Sequence, residues 1–326
     1  METIGTWWMW TGFFAFVIAM VGVDLFLLGG RKAHRVGFRE AASWSGVWVG
    51  VALAFNGLLW WYLDGSVGRE IANTKAIEFF TGYLVEKSLA VDNVFVWIML
   101  FTYFAIPPEY QRRVLLYGVL GAIVMRTAMI LGGAWLIAQF HWILYLFGAF
   151  LVLTGIKMFW FADQKPDLER NPVLKWMRGH LRITTTMHEE RFFVGKDGLL
   201  WATPLFLVLV LVEITDLIFA VDSIPAIFAI TADPFIVLTS NIFAILGLRA
   251  MYFLLADFAN RFTLLKYGLA LVLMFIGAKM LLMDIYKISV AWSLLVVFTI
   301  IATSVALSLR RPAPSPGQGG DPSGST

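Results

Sequence analysis

The sequence predicts an all-α polytopic membrane protein. It has about nine transmembrane helices, an inverted three-helix repeat (spans three to five and six to eight) and broken helices at the centre. Three observations predict this class. The 326 residues are 60% hydrophobic and only 14% charged, against roughly 25% charged in soluble domains. Nine apolar stretches reach membrane length. One acidic phrase is written twice inside them, as Glu86-Lys-Ser-Leu-Ala-Val-Asp92-Asn93 and Asp216-Leu-Ile-Phe-Ala-Val-Asp222-Ser223, at an offset of 130.

Each stretch is read as a helix because backbone facing lipid must satisfy its own hydrogen bonds. The first, about 7–29, follows a start without Lys or Arg and is long enough to be a retained span rather than a cleaved signal. The second, about 44–63, carries Asn56. Trp7, Trp8, Trp10, Trp60, Trp61 and Tyr62 sit near span ends as interfacial anchors. The third, about 77–104, and the sixth, about 200–231, carry the acidic phrases and exceed what a straight span needs. The fourth, about 114–138, and the seventh, about 235–256, each carry one arginine near the middle, Arg126 and Arg249. The fifth, about 140–161, and the eighth, about 264–283, end on Gly155-Ile-Lys-Met158 and Gly277-Ala-Lys-Met280. The ninth is about 288–309.

Spans three to five thus correspond to spans six to eight. Three is odd, so the second copy is threaded in the opposite direction. Residues 1–310 are read as one transmembrane transporter domain, with repeat one at about 77–161, repeat two at about 200–283 and a cytoplasmic loop at 162–198. Residues 311–326, rich in Pro, Gly and Ser, are read as a disordered tail. Seventeen Lys and Arg fall in alternate connections, against Arg69, Lys75 and Lys287 on the other side. The positive-inside rule therefore puts the N-terminus outside and the C-terminus in the cytoplasm. Within the long loop, 173–183 mixes basic and apolar residues, which suits a helix on the inner membrane surface and equally an ordinary basic loop.

An ionisable group at bilayer depth is expensive and is read first as part of an ion or substrate pathway. Residues seven apart on a straight helix differ by only about 20°, and residues six apart by about 240°. Glu86 therefore shares a face with Asn93, and Asp216 with Ser223 and nearly with Glu213, while Asp92 and Asp222 point elsewhere. Convergence of all five carboxylates requires breaks near the Val-Asp pairs, and Pro225 offers one in the second copy. Carboxylate, amide, hydroxyl and freed carbonyl oxygens are the ligands of a hard divalent cation such as manganese, magnesium or calcium. Glu86, Asp92, Glu213, Asp216 and Asp222 are the expected ligands, with Asn93 and Ser223 as additions. Arg126 and Arg249 are gates or ion-pair partners, and the alternative is that the acidic groups simply pair with them to fix packing. Asp24, near the inner end of span one, guides ions or is merely solvated.

The chain has no cysteine, which excludes disulfides, thiolate metal sites and thiol nucleophiles. No permanent cofactor is expected, and no phosphate loop supports direct ATP drive. The net charge of +3 follows topology and implies no nucleic acid.

The phrases Gly82-Tyr-Leu-Val-Glu-Lys-Ser-Leu-Ala-Val-Asp-Asn-Val-Phe-Val-Trp97 and Val212-Glu-Ile-Thr-Asp-Leu-Ile-Phe-Ala-Val-Asp-Ser-Ile-Pro-Ala-Ile-Phe228 closely resemble those of the TerC family of bacterial membrane proteins, particularly its Alx-type members. Tyr117–Arg126 and Asn241–Phe253 support the resemblance, which runs from about residue 5 to 310. It implies an inner-membrane protein related to LysE-type transporters and linked to manganese export, with the five carboxylates above at the matching acidic positions. Manganese comes from the resemblance; composition and spacing reach only a hard divalent cation.

The expected function is a secondary transporter, not an enzyme, that exports manganese, with protons as the exchanged partner. The alternative is a membrane adaptor or assembly protein that scaffolds other proteins or hands them metal, acting through the loop 162–198. A remote third is an intramembrane aspartyl protease using Asp92 and Asp222, which leaves Glu86 and Asp216 unexplained.

Overall fold

The computed structural model describes residues 3–23, 37–140, 142–160, 172–184, 188–196, 198–256, 264–286 and 288–310, the side chains of Asp92, Asp222, Val290 and Leu309 excepted. Asp24, the tail after Arg310 and part of the long loop lie outside these residues.

The elements, in order, are α1 (Trp7–Val23), α2 (Phe38–Ser66), α3 (Arg69–Tyr103), α4 (Pro108–Gln139), α5 (Ile143–Trp160), α6 (Pro172–His180), β1 (Phe193–Lys196), β2 (Leu199–Ala202), α7 (Pro204–Phe228), α8 (Pro234–Leu246), α9 (Leu248–Ala256), α10 (Leu265–Leu281) and α11 (Val290–Arg310). Among the described residues five helices are long and apolar enough to cross a membrane, or six if α8 and α9, bent by 41° at Gly247, form one span. The protein is an all-α polytopic membrane fold. α6 apart, its helices overlap the nine apolar stretches, but α2, α3 and α4 start six to eight residues earlier than their stretches and α7 starts four later. Residues 199–202 form the second strand of a hairpin, and the helix begins only at Pro204, whose missing N–H suits a first-turn position.

The two acidic helices correct the expected breaks. α3 is one helix of 35 residues through Asp92, about 52 Å long at 1.5 Å per residue. α7 is helical through Pro225, which lies in its last turn and so disturbs little of the ladder. The break falls instead at Gly247, in the helix pair that carries Arg249.

Contact registers fix the helix directions. Gly118 and Gly121 of α4 lie against Val212 and Glu213 of α7, and Gly133 lies against Phe228, so these helices run parallel. Gly82 of α3 lies against Ser240 of α8, and Lys87 reaches Ala244, so α3 and α8 are also parallel. α3 and α4 are antiparallel about the tight turn at 104–107, where Ala105 takes a positive φ of 48°. Hence α3 and α7 run in opposite senses. α5 and α10 form the closest pair and cross antiparallel. A Cβ on Gly277 would sit 2.7 Å from the carbonyl of Gly148, and one on Gly155 would sit 2.8 Å from that of Ala270. Small residues let two backbones approach in lipid, where dispersion rather than the hydrophobic effect holds helices together.

At the end of the bundle opposite the basic loops, Asp233 caps α8 by accepting from Phe235 N at 3.0 Å. It also accepts from Thr3 Oγ1 at 2.9 Å and Ile4 N at 3.0 Å, so it ties the start of the chain to the bundle. Lys75 pairs with Glu78 at 2.9 Å and reaches Asp233 at 3.5 Å, and Thr231 Oγ1 donates to Glu78 at 2.6 Å. Phe13, Phe55, Phe79 and Phe243 pack alongside, with the Phe55 and Phe243 rings 4.7 Å apart. The long connection holds α6 and the hairpin at the basic end. Leu174 and Met177 are buried there while Trp176 faces outward.

A carboxylate and arginine centre at mid-bundle

Glu86 lies at the midpoint of α3 and Asp216 at the midpoint of α7, the corresponding positions of the two acidic phrases. Both carboxylates meet one guanidinium, that of Arg126 on α4, and all three residues are about 1% exposed. Arg126 grips Asp216 with two bonds, Nη2 to Oδ1 at 2.9 Å and Nε to Oδ2 at 3.2 Å. Its Nη1 pairs with Glu86 Oε1 and donates to Ser223 Oγ at 3.3 Å. Asn93 Nδ2 donates to Asp216 Oδ1 at 3.0 Å, which links the acidic phrases directly.

The arrangement follows from sequence spacing. Residues seven apart nearly eclipse on a helix, so Glu86 and Asn93 present together from α3, and Asp216 and Ser223 from α7. Glycine completes it. α4 approaches α7 closely at Gly118 and Gly121, and a Cβ on Gly121 would collide with the carboxylate of Glu213. Glu213, half-buried, thus lies one and a half turns along α4 from Arg126 rather than on it.

Of the residues singled out from sequence, the structure gathers Glu86, Asn93, Asp216, Ser223 and Arg126. Glu213 stands beside them. Asp92 and Asp222 continue the two helices, but their side chains lie outside the described set, as does Asp24. Arg249, buried on α9, comes two residues after the break. Among the described residues no three acidic or histidine side chains group as a metal site.

Two features escaped the sequence reading. Asn241, fully buried on α8, and the contact of Lys87, half-buried next to Glu86 in the chain, put polar groups inside an apolar bundle. Lys87 Nζ donates to the carbonyl of Ala244 at 3.2 Å. Asn241 was legible as a polar residue within an apolar run but had no spacing link to the acidic phrases, while Lys87 stands inside the first phrase, about 100° around the helix from Glu86, with nothing to point it at Ala244.

Chemically, one fixed cation balances two mid-bundle carboxylates. Glu86 Oε2, Asn93 Oδ1 and Glu213 Oε2 are buried with no hydrogen-bond partner among the described residues. Buried acceptors left this way cost about 1–3 kcal/mol each and mark a place for a further donor or cation.

A family profile described as "Integral membrane protein TerC family" matches residues 71–313. A protein of Salmonella typhi named "Putative membrane-bound redox modulator Alx" is 59% identical over 308 residues, which cover 94% of this chain and 96% of that protein. Its namesake in Photorhabdus laumondii is 56% identical over 309 residues, 95% and 97% of the two chains. "Uncharacterized membrane protein STKORF319" of Myxococcus xanthus is 44% identical over 319 residues, 97% of both. No solved structure matches the chain. Matched by this profile from 71 to 313 and by these proteins over most of its length, the chain belongs to the TerC family of integral membrane proteins.

Proposed function

We propose that this protein is a secondary transporter that exports a hard divalent cation, manganese first, across the bacterial inner membrane. The cation passes through the mid-bundle centre in exchange for protons. The observation that carries the reading is the meeting of both acidic phrases on Arg126, with three buried oxygens nearby lacking a partner. Arg126 holds the place between Glu86 and Asp216 that a divalent cation would compete for. In this reading Glu86, Asp216, Asn93 and Ser223 supply oxygen, joined by Asp92, Asp222 and Glu213. Loading the cation displaces the guanidinium, and protonating a carboxylate returns it. Oxygen-only chemistry supports manganese, magnesium or calcium equally, and the family resemblance favours manganese.

The helix packing supports an inverted repeat of nine spans. α3 packs on α8 as α7 packs on α4, with α3 and α7 in opposite senses. The pairs Gly155 with Ala270 and Gly277 with Gly148 interchange under the same correspondence. Such repeats place ion sites at the midplane between halves and move by rocking one against the other. The basic loops favour a cytoplasmic C-terminus.

The relatives' name speaks of redox modulation. This chain has no cysteine and so no thiol couple of its own. A redox effect would act through the supply of a redox-active cation, which is compatible with export, or through partners bound at the basic end, as the adaptor reading requires.

The test is manganese efflux from loaded proteoliposomes, with and without an inward proton gradient and with the membrane potential clamped. Wild type should export faster with the gradient. Glu86→Gln, Asp92→Asn, Asp216→Asn and Asp222→Asn should each lose at least tenfold. Efflux retained in all four would leave the carboxylates as packing groups, and efflux indifferent to the gradient would remove proton exchange.

A further inference from the structure

At the basic end of the bundle a cavity of about 580 Å³ opens between α3, α4, α9 and the start of α2, lined by Ile98, Phe101, Thr102, Gln111, Tyr252 and Phe253 among others. Its inner wall is closed by two contacts of Tyr252. The hydroxyl donates to Gln111 Oε1 at 2.7 Å, and the ring stands edge-on to Phe101 at 5.5 Å. Past that wall, Val94 lies one turn further along α3 from Ile98 and is fully buried, and Asn93 of the central site is its neighbour. Tyr252 and Arg249 are one turn apart on α9.

α9 is a short, separate piece. It has nine residues and leaves α8 at Gly247 with a bend of 41°. A break frees carbonyls at the end of the preceding helix, where the dipole is negative and a cation is favoured. Lys87 supplies that cation, with Nζ on Ala244 O at 3.2 Å. Gly247 leaves room for that contact: a Cβ there would stand 2.5 Å from Nζ, so that the lysine tip would have to move, and 3.2 Å from Trp48 Cβ. The counterparts of these two positions in the opposite repeat differ on every count. Leu217 stands where Lys87 does, Val124 where Gly247 does, and α4 is unbroken from Pro108 to Gln139. Lysine and break occur together on one side of the molecule only.

We propose that α9 is the gate between this vestibule and the central carboxylate site, hinged at Gly247 by Lys87 and latched by Tyr252 on Gln111. The proposal rests on the transport reading, in which the vestibule is the cytoplasmic entry of the cation. In the closed position seen here, Tyr252 and Phe101 block the way to Asn93. Breaking the latch lets α9 swing about its hinge and carries Tyr252 and Arg249 away from α3 together.

The chain's lack of cysteine makes the test direct, since Val94→Cys then supplies the sole thiol. Labelling of this reporter by a charged methanethiosulfonate reagent is measured on purified full-length protein in liposomes, alongside manganese flux by the parent chain. Val94→Cys should label slowly in the parent background. Tyr252→Phe should speed it about fivefold, the population change expected for one lost neutral hydrogen bond. Lys87→Met should also speed it. Gly247→Ala should speed labelling in the Lys87 background and add less to Lys87→Ala, where only the tight contact with Trp48 Cβ remains. A second reporter, Val272→Cys, is fully buried on α10 and should stay slow throughout. Equal Val94→Cys rates in all variants overturn the gate. So does parallel acceleration of both reporters, which would signal general loosening. Val94→Cys labelling that responds as expected, with no manganese moved by the parent chain, keeps the gate and defeats the transport reading. Flux with unchanged labelling defeats the gate alone.

Discussion

Arg126 is where the balance of charge is decided. A guanidinium buried with two carboxylates is stable only as a set, and removing one partner of a buried pair costs about 3–5 kcal/mol because the other is left uncompensated. Arg126→Met should therefore lower the thermal midpoint of the detergent-solubilised protein sharply. Adding Glu86→Gln should recover part of the loss, and the non-additivity of the cycle measures the coupling. Gly121→Ala tests a neighbour. Its methyl would displace the Glu213 carboxylate, so manganese flux should fall while abundance holds, and flux equal to wild type would remove Glu213 from the site. The shared faces of Glu86 with Asn93 and of Asp216 with Ser223 were legible from a spacing of seven. That Arg126 takes both acidic positions was not, because periodicity within a helix carries no information about which neighbouring helix supplies the counter-charge.

Among the elements, the α5–α10 pair depends on glycine at two places and offers its own controls elsewhere. Gly155→Leu or Gly277→Leu would force apart backbones whose carbonyls lie under 3 Å from the added Cβ, a costly overpacking. Either should reduce the yield of monodisperse protein by size-exclusion chromatography. Gly132→Ala on α4 meets nothing within 4 Å, and alanine's better helix propensity should leave stability unchanged or raise it by up to about 1 kcal/mol. Helix positions followed from apolar run lengths, and Gly155 and Gly277 marked α5 and α10 as counterparts in sequence without showing that the two pack on each other. The location of the break was misread. Proline was taken as the stronger breaker, yet Pro225 falls in a terminal turn where few bonds remain to lose, and the break falls at Gly247, where Lys87 from α3 takes the carbonyl of Ala244. A tertiary cause of that kind has no local signature. The hairpin at 193–202 was hidden for the same reason, since Leu199–Ala202 is apolar enough to read as the start of a span.

For the whole molecule, the distribution of Lys and Arg predicts which end faces the cytoplasm. Val67 and Leu200 are exposed at opposite ends. An impermeant thiol reagent added to intact cells should label Val67→Cys, while Leu200→Cys should react only after lysis. Reversal of that pattern would overturn the orientation. The reciprocal packing of α3 on α8 and α7 on α4 has a further consequence. Two halves alike in every residue and threaded in opposite senses would make a molecule with no front or back, which turned end for end would be the same object. Lys87 against Leu217 and Gly247 against Val124 are departures from that equivalence, and they lie on one diagonal of the bundle. In the proposed transport cycle they leave the final distribution of the cation across the membrane alone, because gradients set that. In that cycle what they change is how readily each of the two mouths opens, so a handful of side chains would make an otherwise two-faced molecule kinetically one-sided.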